Sequence, residues 1–286
     1  MKLDTREWLA RVRATAAELF APVDKFLKRK DVKAVIDWVK EPFYAVVIMY
    51  VFTTVIVQPF YVPSGSMEPT LAIGDAVFAA KFPYGYSRYS MPFVNGPSPD
   101  KRFLQRMPEV GDVVVFRLPR DTAVTYVKRV VGLPGDRIQM KHGRLWINGR
   151  ELPLKPDGMG EVEDEYGNYS MTPRFIETLP NGKKHIIFKH QWDGVADNTG
   201  EYVVPAGHLF MVGDNRDNSL DSRFSADGEL LGVGYMPGSK GVGYVPVGNL
   251  VGRAFIVIGS VDFKNASGVW EWPFQFRFSR VFNWIR

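Results

Sequence analysis

The sequence predicts a mainly β protein that begins with a single N-terminal transmembrane helix and carries a second β subdomain inserted into a β-rich domain. Two observations lead to this fold class. One stretch near the N-terminus contains no charged residue, and the chain after it consists of short β-branched segments bounded by Gly, Pro, Asn or Asp. Glycine (27) and proline (20) are abundant among the 286 residues, and this turn-rich composition argues against a mostly helical fold.

Residues 1–41 form the first predicted segment, which is basic and partly amphipathic. It contains ten Lys or Arg residues against seven Asp or Glu residues. Basic residues that precede an apolar helix tend to stay in the cytoplasm. We therefore expect the N-terminus to lie on the cytoplasmic side of a membrane.

Residues 42–58 are the predicted membrane anchor. This stretch of 17 residues has no charged side chain. As an α-helix it would extend ~25 Å, slightly less than the ~30 Å of a bilayer core. Helical spacing upstream predicts a helix start near Ala34. The alternative is a helix buried in a soluble domain. The leading segment is too long for a cleaved signal peptide, so we expect an uncleaved anchor.

Residues 59–286 form the predicted exported domain, which we expect to be all β. A polar, loop-rich stretch at 138–205 indicates an inserted β subdomain. Near the C-terminus, aromatic side chains occupy nearly every even position from Trp270 to Trp284. This period of two predicts an extended aromatic face, which packs either in the core or against the membrane.

The net charge of +5 does not indicate a nucleic-acid-binding protein. The surplus of Lys and Arg lies at the two ends of the chain, and the body between them is about neutral. A nucleic-acid-binding protein concentrates positive charge on its folded domain, whereas basic ends suit a membrane surface. The absence of cysteine excludes disulfides, cysteine-ligated zinc and a thiol nucleophile.

Two segments contain candidate catalytic residues. The turn at 63–69 has two serines, Ser64 and Ser66, and can present a hydroxyl beside a backbone N–H, as a nucleophile and its oxyanion hole require. The alternative is a plain linker. Lys128 lies in the apolar strand 126–132, where burial would lower the pKa of its amine and make it a general base. Its alternative is a strand lysine that faces water or pairs with an acid.

A third segment, residues 213–223, contains three aspartates and two arginines. It departs from an EF-hand calcium loop at the required glycine and at the twelfth position. The four histidines show no spacing typical of a triad or a metal pair. We therefore expect no metal and no cofactor, and a rigid hydrogen-bonded loop that orients its neighbours.

The motifs together resemble bacterial type I signal peptidase, a membrane-anchored Ser/Lys protease that removes signal peptides from exported preproteins. The resemblance extends from about residue 40 to residue 263. The motifs that carry it are, in order, PSGSMEPTL (63–71), GDVVVF (111–116), YVKRVVGLPGD (126–136), GDNRDNSLDSR (213–223) and GYVPVGNLVGRA (243–254).

The resemblance implies a role for each matching residue of the reaction centre. Ser66 is the nucleophile and Lys128 is the general base. The Ser66 backbone N–H and the Ser64 hydroxyl form the oxyanion hole. The implied substrates are preproteins with small residues at the cleavage site. The implied location is the bacterial inner membrane, with a single crossing and with the catalytic domain on the periplasmic side in contact with the lipid bilayer.

The resemblance also implies supporting residues around this centre. Ser219 orients the Lys128 side chain. Asp221 and Arg223 form a structural ion pair behind the site, and Arg129 is a further supporting residue. The chain departs from the family pattern in a lengthened loop at 225–242.

Two alternatives from other classes remain open. One is a relative of the self-cleaving repressor proteases, which use a similar Ser/Lys pair but are soluble and carry a DNA-binding domain. The other is a membrane-anchored β scaffold whose serine and lysine perform no chemistry. Failure of an acylating probe to label Ser66 would favour the scaffold.

Overall fold

The computed structural model describes residues 13–15, 21–22, 25–27, 29–91, 102–163, 167–225, 227–230, 234–235, 240–262 and 275–286. The chain divides into two compact units, Met1–Val51 and Phe52–Arg286. Much of the lengthened loop 225–242, and the tail aromatics before residue 275, lie outside the described residues.

The described helix, α1 (Lys30–Val55), begins earlier and ends earlier than predicted. Its side chains are not buried. Within the described ranges, no helix is both long and apolar enough to cross a membrane. The physical reason is that the chain leaves the helix after Val55, so that the uncharged helical part is 42–55 and extends only ~21 Å. The membrane anchor at 42–58 stays a prediction.

The prediction of a mainly β protein is confirmed. The strands of the described residues are β1 (Val57–Tyr61), β2 (Asp75–Ala80), β3 (Val113–Leu118), β4 (Asp121–Gly132), β5 (Arg137–Lys141), β6 (Arg144–Ile147), β7 (Arg150–Glu151), β8 (Leu154–Glu163), β9 (Tyr169–Thr178), β10 (Lys184–Phe188), β11 (Tyr202–Val203), β12 (His208–Val212), β13 (Glu229–Leu230), β14 (Gly234–Tyr235), β15 (Val245–Pro246) and β16 (Leu250–Ser260).

The largest sheet has seven strands in the order β1-β2-β16-β3-β4-β12-β15, and all its neighbouring strands are antiparallel. Alternate side chains of β3 enter different hydrophobic clusters: Val113 and Val115 belong to one, and Val114 and Phe116 belong to the other. Because neighbouring side chains of a strand point to opposite faces, the sheet is covered on both faces around β3.

Strands β5–β11 pair among themselves in two smaller sheets, with the orders β10-β9-β8 and β11-β5-β6-β7. They fall within the stretch for which an inserted β subdomain is predicted. Ile138 and Leu145 of this stretch share a hydrophobic cluster with Phe210 and Val212 of β12. The four-stranded sheet therefore packs against the end of the seven-stranded sheet that carries β12.

The described part of the aromatic tail runs beside β16. The Phe282 N–H donates to the Val257 carbonyl (2.8 Å), and the Ile285 N–H donates to the Phe255 carbonyl (2.9 Å). Ile285 is buried, whereas the side chains of Phe278 and Phe282 are exposed. Backbone pairing therefore fixes the segment and leaves aromatic rings on the surface.

Candidate active site

The turn that carries Ser66 is held by the loop that follows β12. After β1 the chain forms one 3₁₀ turn, Gly65–Met67. The Asn215 backbone N–H donates to the Ser66 carbonyl (3.2 Å), and the Asn215 side-chain amide donates to the Gly65 carbonyl (3.2 Å). A Cβ on Gly65 would lie 2.9 Å from Glu68 Oε2, so the turn packs closely on the Glu68 side chain.

The Lys128 side chain contacts the Ser66 hydroxyl. Its Nζ lies 2.6 Å from Ser66 Oγ, and its side chain is only 3% exposed. Burial lowers the pKa of Lys128 to about 8, although the negative charges of Asp221 and Asp214 act in the opposite direction. Near pH 8 much of the amine is therefore neutral, and it can accept the hydroxyl proton across this contact.

Ser64 lies beside the same pair of atoms. Its Oγ is 3.4 Å from Ser66 Oγ, and its side chain is exposed. The structure thus brings together the three residues that the resemblance assigns to nucleophile, base and oxyanion hole.

Ser219 and Asp221 form a hydrogen-bonded unit close to this turn. Ser219 Oγ donates to Asp221 Oδ2 (2.7 Å), so toward Lys128 this hydroxyl can act only as an acceptor. Arg223 binds both carboxylate oxygens of Asp221, with Nε to Oδ1 at 2.9 Å and Nη2 to Oδ2 at 3.0 Å. Burial alone would raise the pKa of Asp221, but Arg223, together with hydrogen bonds from the Gly213 N–H and the Ser219 hydroxyl, holds this pKa below its usual range.

Gly213 is a residue of the site that the sequence reasoning missed. A Cβ at this position would collide with the Ser66 carbonyl oxygen and with the Ser219 side chain. Its N–H donates to Asp221 Oδ2 (2.9 Å). Only glycine lets the loop approach the Ser66 turn this closely, and a glycine directly after an apolar strand is the signal that could have indicated it.

Arg129 forms a second buried ion pair, with Asp214, and the sequence predicted neither this partner nor the hydrogen bond of Thr70 to it. Its Nε and Nη2 donate to the two oxygens of Asp214 (2.8 and 2.7 Å). Thr70 Oγ1 donates to Asp214 Oδ2 (2.5 Å) across 144 residues of sequence. Burial alone would raise the pKa of Asp214, but the Arg129 charge holds it below its usual range. No local pattern connects residues so far apart.

The carboxylates of the loop 213–223 bind cations of the protein itself. Asp214 pairs with Arg129, Asp217 with Lys189 and Asp221 with Arg223. Among the described residues, no three His, Cys, Asp or Glu side chains are grouped so that they could hold a metal ion. The loop is therefore built as a rigid support.

An open groove of about 650 Å³ contains Ser66 and Lys128. The main sheet forms one part of the groove lining, which we call the sheet wall. The residues of the sheet wall are largely apolar and include Phe60, Val62, Ile73, Val77, Val115 and Val127. We call a second part of the lining the loop wall; it consists of Gln191, residues 194–197 and residues 216–220.

The chain was compared with known proteins. Over residues 35–259 it matches the family described as signal peptidase, peptidase S26. It is 37% identical over 220 residues to the signal peptidase I of Rickettsia typhi and to that of Rickettsia prowazekii, and each match covers 74% of this chain and 75% of the relative. A crystal structure of a signal peptidase I from Enterococcus faecalis V583 is 22% identical and covers 52% of this chain and 97% of that chain, with a TM-score of 0.28.

The family match extends over most of the chain. It includes the Ser66 turn, the strand that carries Lys128 and the whole loop 213–223. The chain therefore belongs to the signal peptidase family, peptidase S26.

Proposed function

We propose that Ser66 and Lys128 are the catalytic dyad with which this serine endopeptidase removes N-terminal signal peptides from exported preproteins. The observation that carries the proposal is the 2.6 Å contact between Lys128 Nζ and Ser66 Oγ. Burial of the lysine also supports the proposal. An exposed lysine would keep its usual pKa, so almost none of its amine would be neutral near pH 7.

In the proposed reaction, the neutral Lys128 amine accepts the Ser66 hydroxyl proton while Oγ attacks the carbonyl carbon of the scissile peptide bond. The Ser66 N–H and the Ser64 hydroxyl donate to the oxyanion. The C–N bond then breaks, and the Lys128 ammonium gives the proton to the leaving amine. This step releases the mature protein and leaves the signal peptide as an ester on Ser66.

Water completes the reaction by attacking the ester. Lys128 takes a proton from the water molecule, and the tetrahedral intermediate collapses with loss of Ser66 Oγ. The proton returns from Lys128 to Oγ, and the signal peptide leaves as a carboxylic acid that ionises in water. The enzyme is then back in its starting state.

The supporting residues act on Lys128 by position and charge. We propose that Ser219 orients the Lys128 side chain, toward which its hydroxyl can act only as an acceptor. Asp221 holds the Ser219 hydroxyl, and Arg223 neutralises the buried Asp221 charge. Arg129 neutralises the buried charge of Asp214.

The sheet wall supports the proposed preference for small residues before the scissile bond. Its apolar side chains include Ile73, Val77 and Val115, and an apolar lining suits an uncharged side chain such as that of alanine. We propose that preproteins with an Ala-x-Ala type of cleavage site bind there.

We also propose that the protein is anchored in the bacterial inner membrane, with its N-terminus in the cytoplasm and residues 59–286 on the periplasmic side. The uncharged stretch continues past α1 to residue 67. Apolar side chains of α1 such as Phe43 and Ile48 are exposed, and basic residues precede them. After extraction of membranes with alkaline carbonate, the protein should remain in the pellet; release into the supernatant would contradict anchoring.

Cleavage of a preprotein with an Ala-x-Ala site by the detergent-solubilised chain tests the dyad. Ser66→Ala and Lys128→Met should each lower the cleavage rate by at least about 10³-fold. Lys81→Met is the matched control, because Lys81 is also fully buried but donates to the Ser90 carbonyl. Cleavage that survives either dyad substitution would show that the residue assignment is wrong.

A further inference from the structure

Tyr126 lies beside the proposed base, and the proposed chemistry assigns it no step. It belongs to β4, two residues before Lys128, and both side chains line the groove. Side chains two positions apart project from the same face of a strand. The Lys128 Nζ accordingly lies over the Tyr126 ring, 5.3 Å from its centroid.

The core of the main sheet holds the Tyr126 ring in place. Tyr126 pairs with Phe116 across β3 and β4. Their two rings are arranged nearly edge to face, with centroids 6.3 Å apart and planes at 63°, which is a favoured geometry for aromatic pairs. Phe116 is fully buried in the hydrophobic cluster on which Tyr126 also packs. The orientation of the ring is therefore set independently of Lys128.

The charged groups that face Lys128 are Asp221, Asp214 and Arg223. Each carboxylate already has an arginine as its partner, because Asp221 pairs with Arg223 and Asp214 pairs with Arg129. Within the part of the chain that the structure describes, no carboxylate forms an ion pair with Lys128 itself. A buried ammonium is costly unless neighbouring groups compensate its charge. Compensation at contact distance must therefore come from another kind of group.

The face of an aromatic ring is such a group. A cation within about 6 Å of the ring centroid is attracted by the electron density of the ring face, and the attraction is stronger where water is excluded. Lys128 is only 3% exposed, and its Nζ lies within this distance of Tyr126. A neutral amine gains little, because the attraction needs the positive charge. The ring thus favours the form of Lys128 that exists after it has taken the Ser66 proton.

We propose that Tyr126 is a positioning residue of the dyad, whose ring stabilises the Lys128 ammonium that forms as Ser66 Oγ attacks the substrate. The ring also keeps this ammonium in place until it gives the proton to the leaving amine. No bond to Tyr126 forms or breaks, and the proton moves only between Ser66, Lys128 and the leaving amine. The inference rests on the proposed function, since it concerns the base of the same site.

The pH dependence of acylation distinguishes this role from a purely structural one. A ring that favours the ammonium raises the pKa of Lys128, so a weaker ring should lower the pH at the midpoint of the acylation rate. It should also lower the rate on the alkaline plateau, because an amine with a lower pKa is a weaker base. Loss of packing alone would leave the midpoint unchanged, or would raise it if water entered the site.

The test replaces Tyr126 in the full chain by phenylalanine and by phenylalanines that carry one, two or three ring fluorines. Each fluorine withdraws electron density from the ring face and changes the size of the ring little. The rate at which an acylating probe labels Ser66 is measured between about pH 5 and pH 9. We expect the midpoint to fall stepwise along the series, by about half a pH unit from phenylalanine to the trifluorinated ring.

Tyr244 is the matched control position. Its ring packs on Phe210, with the ring centroids 6.1 Å apart, in a different hydrophobic cluster from that of Tyr126. The same fluorinated series at position 244 should leave the midpoint unchanged. Shifts of equal size at the two positions would overturn the inference, because the effect would then not depend on contact with Lys128.

The outcomes separate this inference from the proposed function. A parent whose labelling rate does not depend on pH would contradict the neutral lysine as the base, and with it both the proposed function and this inference. A pH-dependent parent whose midpoint stays constant along the series at position 126, or rises, would overturn this inference alone.

A second measurement applies to any variant that labels too slowly. The pKa of Lys128 is then taken from the NMR chemical shift of its Cε during a pH titration, with Lys128→Met to assign the signal. The same stepwise fall is expected, and its absence would overturn the inference.

Discussion

In the proposed reaction, the proton on Lys128 Nζ decides whether Ser66 can be activated. Because burial lowers the pKa of Lys128 to about 8, the side chain is an ammonium below that pH and a neutral amine above it. Only the neutral amine can accept the hydroxyl proton. Acylation of Ser66 should therefore become about tenfold faster per pH unit up to about pH 8 and then level off.

This pH dependence can be measured as the rate at which an acylating probe labels Ser66 between about pH 5 and pH 9. The measurement needs no preprotein, so the binding of substrate does not affect it. A rate that stays flat down to about pH 5 would show that the neutral lysine is not the base.

Glu68 should make the stability of the fold depend on pH. Burial raises the pKa of Glu68 to about 8, and the charge of Glu163 adds to this. Between about pH 5 and pH 8 the folded protein then keeps a proton that the unfolded chain has lost. The free energy of unfolding should fall as the pH rises through this window, by on the order of 1 kcal/mol per pH unit.

Glu68→Gln removes the titrating group and should abolish this slope, so the variant becomes more stable than the parent near pH 8. Urea unfolding at several pH values measures the effect. Glu161→Gln, on the exposed part of β8, is the control and should leave the slope unchanged. Equal slopes for Glu68→Gln and the parent would contradict the assignment.

The two residues of the proposed dyad could be predicted from the sequence. The residues that keep them in position could not. Ser66 and Lys128 lie in local patterns, a Ser-Gly-Ser turn and a lysine within an apolar strand, whose chemistry can be inferred from their neighbours. Thr70 and Asp214 meet only in three dimensions, and a threonine after a proline carries no local signal of a buried carboxylate partner.

At the scale of elements, the ion pair between Arg129 and Asp214 joins β4 to the loop after β12. Arg129→Ala would leave the Asp214 carboxylate buried without its cation, which should cost about 3 kcal/mol or more of stability. Thermal or urea unfolding measures this loss. Arg137→Ala breaks an exposed pair with Glu201 and should change stability little. Equal losses in the two variants would contradict the argument.

The boundary between α1 and β1 is an example of what could not be predicted from the sequence. An apolar, β-branched run suits a membrane helix and a strand equally well. The outcome depends on a distant partner: Val57 pairs with Ala80 and Tyr61 with Ala76, so this end of the run becomes the edge strand of the main sheet. The short segments of the exported domain were easier to predict, because turn residues bound them on both sides.

At the scale of the whole molecule, the described end of the C-terminal tail leaves aromatic rings exposed, and we expect these rings to contact the membrane. Ion pairing of Arg280 with Asp75 and burial of Ile285 fix its backbone, while Phe278 is 75% exposed and Phe282 also faces solvent. Because the chain contains no cysteine, single cysteines can be labelled with a fluorophore. A fluorophore at Phe282→Cys should be quenched by lipid-borne quenchers after reconstitution of the full chain.

Val203→Cys is the matched position, since Val203 is exposed on β11, far along the chain from the tail. Its fluorophore should not be quenched. Equal quenching at the two positions, or none at position 282, would rule out a membrane contact of the tail. The sequence could predict the aromatic periodicity but not its exposure, because a strand with one apolar face looks the same in a core and at an interface.

The position of β16 in the main sheet has a consequence for the stage of synthesis at which the enzyme can become active. Ser66 follows β1 and precedes β2, whereas Lys128 lies on β4, which is joined through β3; β16 is the strand that connects β2 to β3 in the main sheet. We therefore expect the two side chains of the proposed dyad to belong to separate pieces of sheet until residues 250–260 have been synthesised. A nascent chain that lacks residues 250–260 should therefore be inactive as a protease, and we expect activity only after β16 has joined the two pieces of sheet.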